Sequence, residues 1–190
     1  WKAYFHSKEF VRLSTLLDQP DQEELRPSPL ICLAVVIPKK GLDELLRMSC
    51  ELGVDILQPL YSQYQDPKLD KRKARWDGIL KEAVEQSERL WQPKLLETIN
   101  LIDWFANNND RSASSFAITR IKESKEIEVW LDSLNDQIDL FDQISITIGP
   151  EGGWSKEEQK LAEESGFEFV TLGKSILKTS TAAISSACKV

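Results

Sequence analysis

The sequence contains little of what disulfide, metal and membrane proteins depend on. Its 190 residues include only three cysteines, no Cys-x-x-Cys pair, and one histidine, His6. These counts argue against a disulfide framework, a metal site and histidine-based catalysis, and they favour a reducing, cytoplasmic compartment. The longest apolar run covers residues 29–38. It is far shorter than the roughly 20 residues of a membrane-spanning helix, so we expect no membrane partner.

Positive charge is also in short supply. Lys and Arg number 24 against 31 Asp and Glu, which gives a formal net charge of -7. This balance argues against nucleic-acid binding over the whole surface. It permits a local basic face, because phosphate contacts depend on where the charges lie. With 41% hydrophobic residues, the chain can build one sizeable core, or one domain with a small appendage.

The character of the chain changes near residue 29. Residues 1–28 begin with Trp1 and are polar and bounded by prolines, which is typical of a linker or of part of a separate module. From Leu30 onward, apolar runs alternate with helical spacing. Strands are predicted at 30–37, 54–57, 115–119, 144–148 and 167–172, and helices at 42–52, 70–90, 127–134, 155–165 and 181–187. This alternation predicts an α/β fold with a mostly parallel sheet.

Glycine is concentrated late in the chain, where five of the eight glycines lie between residues 149 and 173. They fall mainly in two loops that each follow a predicted strand, at the edge where open α/β sheets bind ligands. The first loop, 149–153, lacks the Lys-Ser/Thr pair of a phosphate-binding loop, and no G-x-G-x-x-G pattern is present. From spacing alone, a structural turn and a ligand loop are equal alternatives for it. An ordinary β-to-α connection is the simpler interpretation of the second loop, 172–183.

Several short motifs accompany these loops in a fixed order. They are ELGV at 51–54, Arg75-Trp76, EA at 82–83, EQS at 85–87, Arg89, Pro93, IGPEGGWS at 148–155, Glu158, LG at 172–173, IL at 176–177 and TA at 181–182. Together they resemble the SPOUT methyltransferases, and within these the ribosomal RNA small subunit methyltransferase E family. The resemblance covers roughly residue 30 to the end.

The resemblance implies both a fold and a function. It implies a deep trefoil knot, formed where the two glycine loops cross, that holds S-adenosyl-L-methionine. Residues 1–28 would be the remnant of a PUA-like RNA-binding β-barrel and its linker, and 29–190 the SPOUT domain. The implied enzyme is a homodimer that methylates N3 of a uridine in small-subunit (16S) ribosomal RNA during ribosome biogenesis. The implied cofactor-binding residues are Ile148, Gly149, Glu151, Gly153, Leu172, Gly173, Ile176, Leu177, Thr181 and Ala182.

The chemistry of such a reaction points to an arginine. The N3–H of uridine is a poor nucleophile until it is deprotonated, so an enzyme must align N3 with the methyl group and stabilise charge on the flanking carbonyl oxygens. The planar, permanently charged fork of arginine suits this task. We predict that Arg89 performs it, with Glu85 and Gln86 orienting the base or a partner loop. A solvated helix face is the alternative for Glu85 and Arg89.

The densest positive stretch is a candidate RNA contact. Lys71, Arg72, Lys73 and Arg75 lie just before the predicted catalytic helix face, and Lys178 lies in the second glycine loop. We predict that these residues contact RNA phosphates. A solvated helix start is the alternative for the first four.

Some positions depart from the family pattern. The family's ILRTETA segment reads ILKTSTA at 176–182, so lysine replaces arginine at Lys178 and serine replaces glutamate at Ser180. Trp154 stands where phenylalanine is usual. These departures keep two further hypotheses open. One is a SPOUT methyltransferase with another RNA target, such as a ribose 2′-hydroxyl. The other is a catalytically weakened, knotted RNA-binding or assembly protein.

Overall fold

The computed structural model describes residues 2–7, 11–16, 18–19, 25–62, 73–119 and 124–190. The strands are β1 Lys2–Phe5, β2 Val11–Thr15, β3 Leu30–Val36, β4 Ile56–Tyr61, β5 Lys94–Leu95, β6 Ile99–Asn100, β7 Ser112–Ala117, β8 Lys125–Glu126, β9 Gln143–Ile148 and β10 Glu168–Thr171. The helices are α1 Leu42–Glu51, α2 Lys73–Ser87, α3 Leu101–Ala106, α4 Ile127–Asp132, α5 Lys156–Glu164 and α6 Thr179–Ala187. A 3₁₀ helix, Asn135–Leu140, precedes β9.

The main sheet has eight strands in the order β5-β4-β3-β9-β7-β10-β8, with β6 paired to β4. All of its pairings are parallel, which confirms the predicted α/β class. β3 lies between β4 and β9, and its residues from Cys32 to Val36 are at most 2% exposed. Burial on both faces explains its continuous apolar sequence. β1 and β2 form a separate antiparallel pair.

Helices cover both faces of this sheet. On one face α1 packs against α2 and α6, and the core there includes Leu45, Trp76 and Ala183. On the other face α3 packs against α5, around Trp104 and Phe167. Of the helices in the described part of the chain, none combines the length and the hydropathy that spanning a membrane would require.

Local signals in the sequence set several helix ends. Ser155 and Glu158 form a capping box: Ser155 Oγ accepts the Glu158 N–H at 3.1 Å, and Glu158 Oε2 accepts the Ser155 N–H at 2.8 Å. Gly166 follows α5 with φ of +79°, a left-handed conformation that glycine adopts without strain. The predicted helix at 181–187 begins two residues earlier, at Thr179, which places its first turn against the first glycine loop.

Candidate cofactor site

A cleft of about 360 Å³ opens at the carboxyl edge of the sheet, beyond the ends of β7, β9 and β10. Its lining residues are 117–119, 148–154, 159, 171–173, 175–177, 179 and 182. The two glycine loops predicted to bind a ligand therefore face one cleft. Parallel strands bring them together, because the loops that follow parallel strands all emerge at the same edge. The volume is typical of small-molecule sites.

Most of the predicted cofactor residues lie in this cleft. Nine of the ten line it: Ile148, Gly149, Glu151, Gly153, Leu172, Gly173, Ile176, Leu177 and Ala182. Thr181 is exposed and does not line it, whereas Thr179 does. The Thr179 side chain is buried, and its hydroxyl donates to the Gly149 carbonyl at 2.8 Å. Thr179 thus joins the start of α6 to the first glycine loop. The predicted helix start was two residues late and so did not single it out.

Trp154 forms part of the cleft wall. Its ring stacks on Phe116, with centroids 4.3 Å apart and an interplanar angle of 25°. Its Nε1–H donates to the carbonyl of Ala117, the last residue of β7, at 2.8 Å. A Cβ atom built on Gly149 would lie 2.7 Å from the Trp154 ring, so only glycine fits at this position. Gly149 therefore serves internal packing, which is the structural alternative for the first loop.

The other glycines leave room for a ligand. Cβ atoms built on Gly152, Gly153 and Gly173 would meet no atom within 4 Å. Gly153 and Gly173 have φ of +76° and +128°, a region that side chains disfavour. Among the lining residues of the described chain, Glu151 alone carries a formal charge. Apolar side chains, free backbone and a single carboxylate fit a cofactor that has a flat base and a positive charge, and they do not fit a polyphosphate.

The predicted catalytic residue Arg89 does not line this cleft. Its Nη1 donates to the carbonyls of Cys50 at 2.7 Å and Val54 at 2.9 Å. Its Nη2 donates to the carbonyl of Gly53 at 3.3 Å and to the carboxylate of Asp55 at 3.4 Å. Arg89 thus closes the C-terminal end of α1 at the amino edge of the sheet. The seven residues of β3 separate the two edges by roughly 20 Å.

Glu85 and Gln86, the other two predicted catalytic residues, lie on α2 and are exposed. Gln86 borders a shallow depression between α1 and α2, together with Arg47 and Glu51. Neither residue lines the cofactor cleft. A single chain therefore does not bring the three predicted catalytic residues to the cleft, and their catalytic role stays a prediction about an assembled enzyme.

Only some of the predicted RNA contacts lie in the described part of the chain. Lys71 and Arg72 lie outside the described residues, and Lys73 is the first residue of α2. Arg75 forms an ion pair with Asp43 of α1, so its charge is already neutralised within the chain. Lys178 is exposed and immediately precedes Thr179, which lines the cleft.

Two of the three thiols, those of Cys32 and Cys50, are buried and are poor nucleophiles. Burial raises the pKa of the Cys32 thiol to about 12, and burial also raises the pKa of Cys50. Both side chains therefore remain protonated at neutral pH. No group of three or more His, Cys, Asp or Glu side chains suited to a metal ion occurs within the ranges that the structure describes.

Comparison with known proteins decides the family. The RNA methyltransferase domain family matches residues 26–189. The chain belongs to this family. It is 33% identical to ribosomal RNA small subunit methyltransferase E of Synechocystis over 96% of its own length and 59% of that protein. The resemblance stated from the motifs is therefore confirmed. The chain spans less than two thirds of the length of this relative.

Solved structures show the same fold. The crystal structure of a ribosomal RNA small subunit methyltransferase E from Neisseria gonorrhoeae bound to S-adenosyl methionine matches with a TM-score of 0.72 and 34% identity. The match covers 90% of this chain and 67% of the Neisseria chain. A putative methyltransferase from Legionella pneumophila, in complex with the bound cofactor SAM, matches with a TM-score of 0.73 and 29% identity, covering 93% and 70% of the two chains.

Proposed function

We propose that this chain is the catalytic part of an S-adenosyl-L-methionine-dependent methyltransferase. Its substrate would be N3 of a uridine in small-subunit ribosomal RNA, in the cytoplasm. The observation that carries the proposal is the cleft: nine of the ten predicted cofactor residues line it. The Neisseria and Legionella relatives, which share this fold, were crystallised with S-adenosyl methionine.

The chain's own residues supply binding and orientation. The cleft has an apolar wall on which a purine ring can pack, formed by Ile148, Leu172 and Leu177. The backbone at Gly152 and Gly173 carries no side chain, so a base or ribose can approach it closely. The Gly173 carbonyl already accepts the Thr171 hydroxyl at 3.1 Å. When bound, S-adenosyl-L-methionine supplies an electrophilic methyl group on a positively charged sulfonium.

Glu151 supplies a negative charge beside that cation. Its carboxylate is exposed and lines the cleft, and Oε1 accepts the backbone N–H of Lys39 at 3.3 Å. This hydrogen bond holds the carboxylate at the mouth of the cleft. A negative charge here attracts a sulfonium and repels a phosphate, which is why the loop suits this cofactor and not a nucleotide polyphosphate.

We further propose a knotted, homodimeric enzyme. The contact from Thr179 to Gly149 supports a close crossing of the two glycine loops, as a trefoil knot needs. The exposed positions of Glu85 and Gln86 support a role across a subunit interface, where they would orient the base in the partner's cleft. Arg89, whose guanidinium is occupied by backbone carbonyls, is better suited to positioning this region than to touching the base. Residues 1–28 would belong to a PUA-like barrel, with β1 and β2 as one of its strand pairs.

The cofactor can be tested separately from the reaction. Isothermal titration with S-adenosyl-L-methionine should show saturable binding with one site per chain. Gly152→Val should weaken this binding by about tenfold or more, because Gly152 lines the cleft and a side chain there would take up open space beside the cofactor. Gly78→Ala, a change on α2 that also meets no atom, is the matched control. No heat of binding at millimolar cofactor would refute both enzyme hypotheses and favour the assembly protein.

The product identifies the target atom. Small-subunit RNA from a strain that lacks the protein is incubated with the protein and labelled cofactor, then digested to nucleosides. We expect labelled 3-methyluridine. A labelled 2′-O-methylnucleoside would instead support the second RNA target, and cofactor binding without any transfer would support a protein that has lost catalysis.

A further inference from the structure

The lysines around the cofactor cleft differ from most other cations of the chain. Lys39 and Lys40 lie in the loop after β3, and Lys174 and Lys178 in the loop after β10. All four are exposed. We call them the rim lysines.

Their place at the cleft follows from their neighbours. The backbone N–H of Lys39 donates to the carboxylate of Glu151, a lining residue, at 3.3 Å. Lys174 lies between Gly173 and Ser175, and Lys178 lies between two further lining residues. Because β3 pairs with one side of β9, and β10 lies beyond its other side, the two lysine pairs approach the first glycine loop from opposite directions.

Elsewhere in the described chain, eight cations form ion pairs, whereas Lys2, Arg12, Arg26, Lys94 and Lys156 form none. Ion pairs to carboxylates are formed by Arg47, Arg75, Lys81, Arg89, Arg111, Lys125, Lys160 and Lys189. Within the described ranges, no carboxylate lies within 4 Å of a rim lysine Nζ. The nearby acids Asp43 and Glu44, at the start of α1, are themselves paired to arginines. The rim thus presents four uncompensated positive charges against the single carboxylate of Glu151.

We propose that the rim lysines bind the phosphates of the RNA strand that carries the target base. This inference rests on the proposed function and names the surface that performs it. It resolves how a chain of net charge -7 can hold RNA: the positive charge is concentrated where the methyl group would be transferred.

The test measures how RNA affinity depends on salt. In vitro transcribed small-subunit ribosomal RNA is titrated with the full chain between about 50 and 200 mM KCl, without cofactor. Each phosphate contact to single-stranded RNA contributes about 0.7 to the slope of log K against log salt. Replacing all four rim lysines by glutamine should therefore reduce the slope by about 3 and weaken binding by ~10-fold or more at low salt. The pairs Lys39/Lys40 and Lys174/Lys178, changed separately, should each remove about half of this slope.

The matched control changes the same number of charges elsewhere. Its four cations, which are ion-paired and lie away from the cleft, become glutamine: Lys81, Arg111, Lys125 and Lys189. We expect this variant to keep the wild-type slope to within about one contact. An equal loss in both variants would show that only total charge matters, and an unchanged slope in the rim variant would remove the proposal outright.

Cofactor titration separates this inference from the proposed function. The rim variant should bind S-adenosyl-L-methionine with a Kd within about threefold of wild type. A rise of about tenfold in Kd with an unchanged RNA slope would assign the lysines to the cofactor and overturn the inference. If the wild-type chain binds no cofactor but the rim variant still loses its RNA slope, the proposed function fails while the RNA surface stands.

Discussion

Replacement of Arg89 should destabilise the fold more than it changes the chemistry. The Arg89 and Asp55 side chains are only 12% and 4% exposed, and Nη2 lies 3.4 Å from the carboxylate. In Arg89→Ala, the Asp55 carboxylate keeps two donors, the N–H of Ile31 at 3.0 Å and the Nε1–H of Trp91 at 3.2 Å. It loses its only counter-ion among the described residues.

The magnitude follows from these contacts. Removing one partner of a buried ion pair costs about 3–5 kcal/mol, because the remaining charge is left without a counter-ion even where hydrogen-bond donors remain. The Val54 carbonyl also loses its Arg89 donor, whereas the Cys50 carbonyl keeps the Gly53 N–H at 3.1 Å. We therefore expect Arg89→Ala to lower the free energy of unfolding by about 4 kcal/mol. Arg89→Lys keeps the charge but loses the fork that reaches several carbonyls, and should cost about 1–2 kcal/mol.

Urea denaturation, followed by tryptophan fluorescence, measures this effect as a shift in midpoint at constant slope. Arg111→Ala is the matched control. It also breaks an arginine–aspartate pair, with Asp142, but both side chains are about two-thirds exposed, so the midpoint should not move measurably. If Arg89→Ala keeps wild-type stability while methyl transfer falls by about 100-fold, the structural assignment of Arg89 is refuted and the catalytic one gains support.

Three further predictions concern single sites. Gly149→Ala should cost about 1–3 kcal/mol of stability in thermal melts, because its Cβ would overlap the Trp154 ring; full stability would contradict the packing described here. Trp154→Ala should raise the cofactor Kd, because the ring that forms part of the cleft wall is removed, whereas Trp104→Phe, which loses a bond to Thr147 outside the cleft, should leave Kd unchanged in the same titration. At pH 8 a thiol reagent should label exposed Cys188 in the native protein and spare Cys32, whose pKa is raised by burial; mass spectrometry of digests reads the ratio.

The sequence predicted the class of fold because its signals there are local. The apolar run in β3 indicates a strand buried on both faces of a parallel sheet. The pair Ser155 and Glu158 indicates a helix start, because the two residues are only three positions apart and bond to each other. The prediction that the glycine loops lie at the carboxyl edge of the sheet is confirmed, because a loop that connects a strand to the following helix starts at the carboxyl end of that strand. Motif order then identified the family.

Other elements depend on contacts that no local pattern contains. β4 extends to Tyr61 through Gln58 and Pro59, residues that argue against a buried strand. Gln58 is 3% exposed, and its amide donates to the carbonyl of Glu97, 39 residues away, at 2.7 Å. The predicted strand at 54–57 ended too early because this partner cannot be inferred from neighbouring residues.

What the sequence determined by itself was the alternation of strands and helices, the loops that carry glycine and the family to which they belong. The tertiary structure decided which side chains meet. It placed Arg89, whose catalytic role stays a prediction, at the end of α1, where it donates to carbonyls 35 to 39 positions away. It also brought Lys39 and Lys174 to one cleft. Parallel strands gather distant loops at one edge of the sheet, and the identity of neighbours across that edge is set by strand order, which local sequence does not encode.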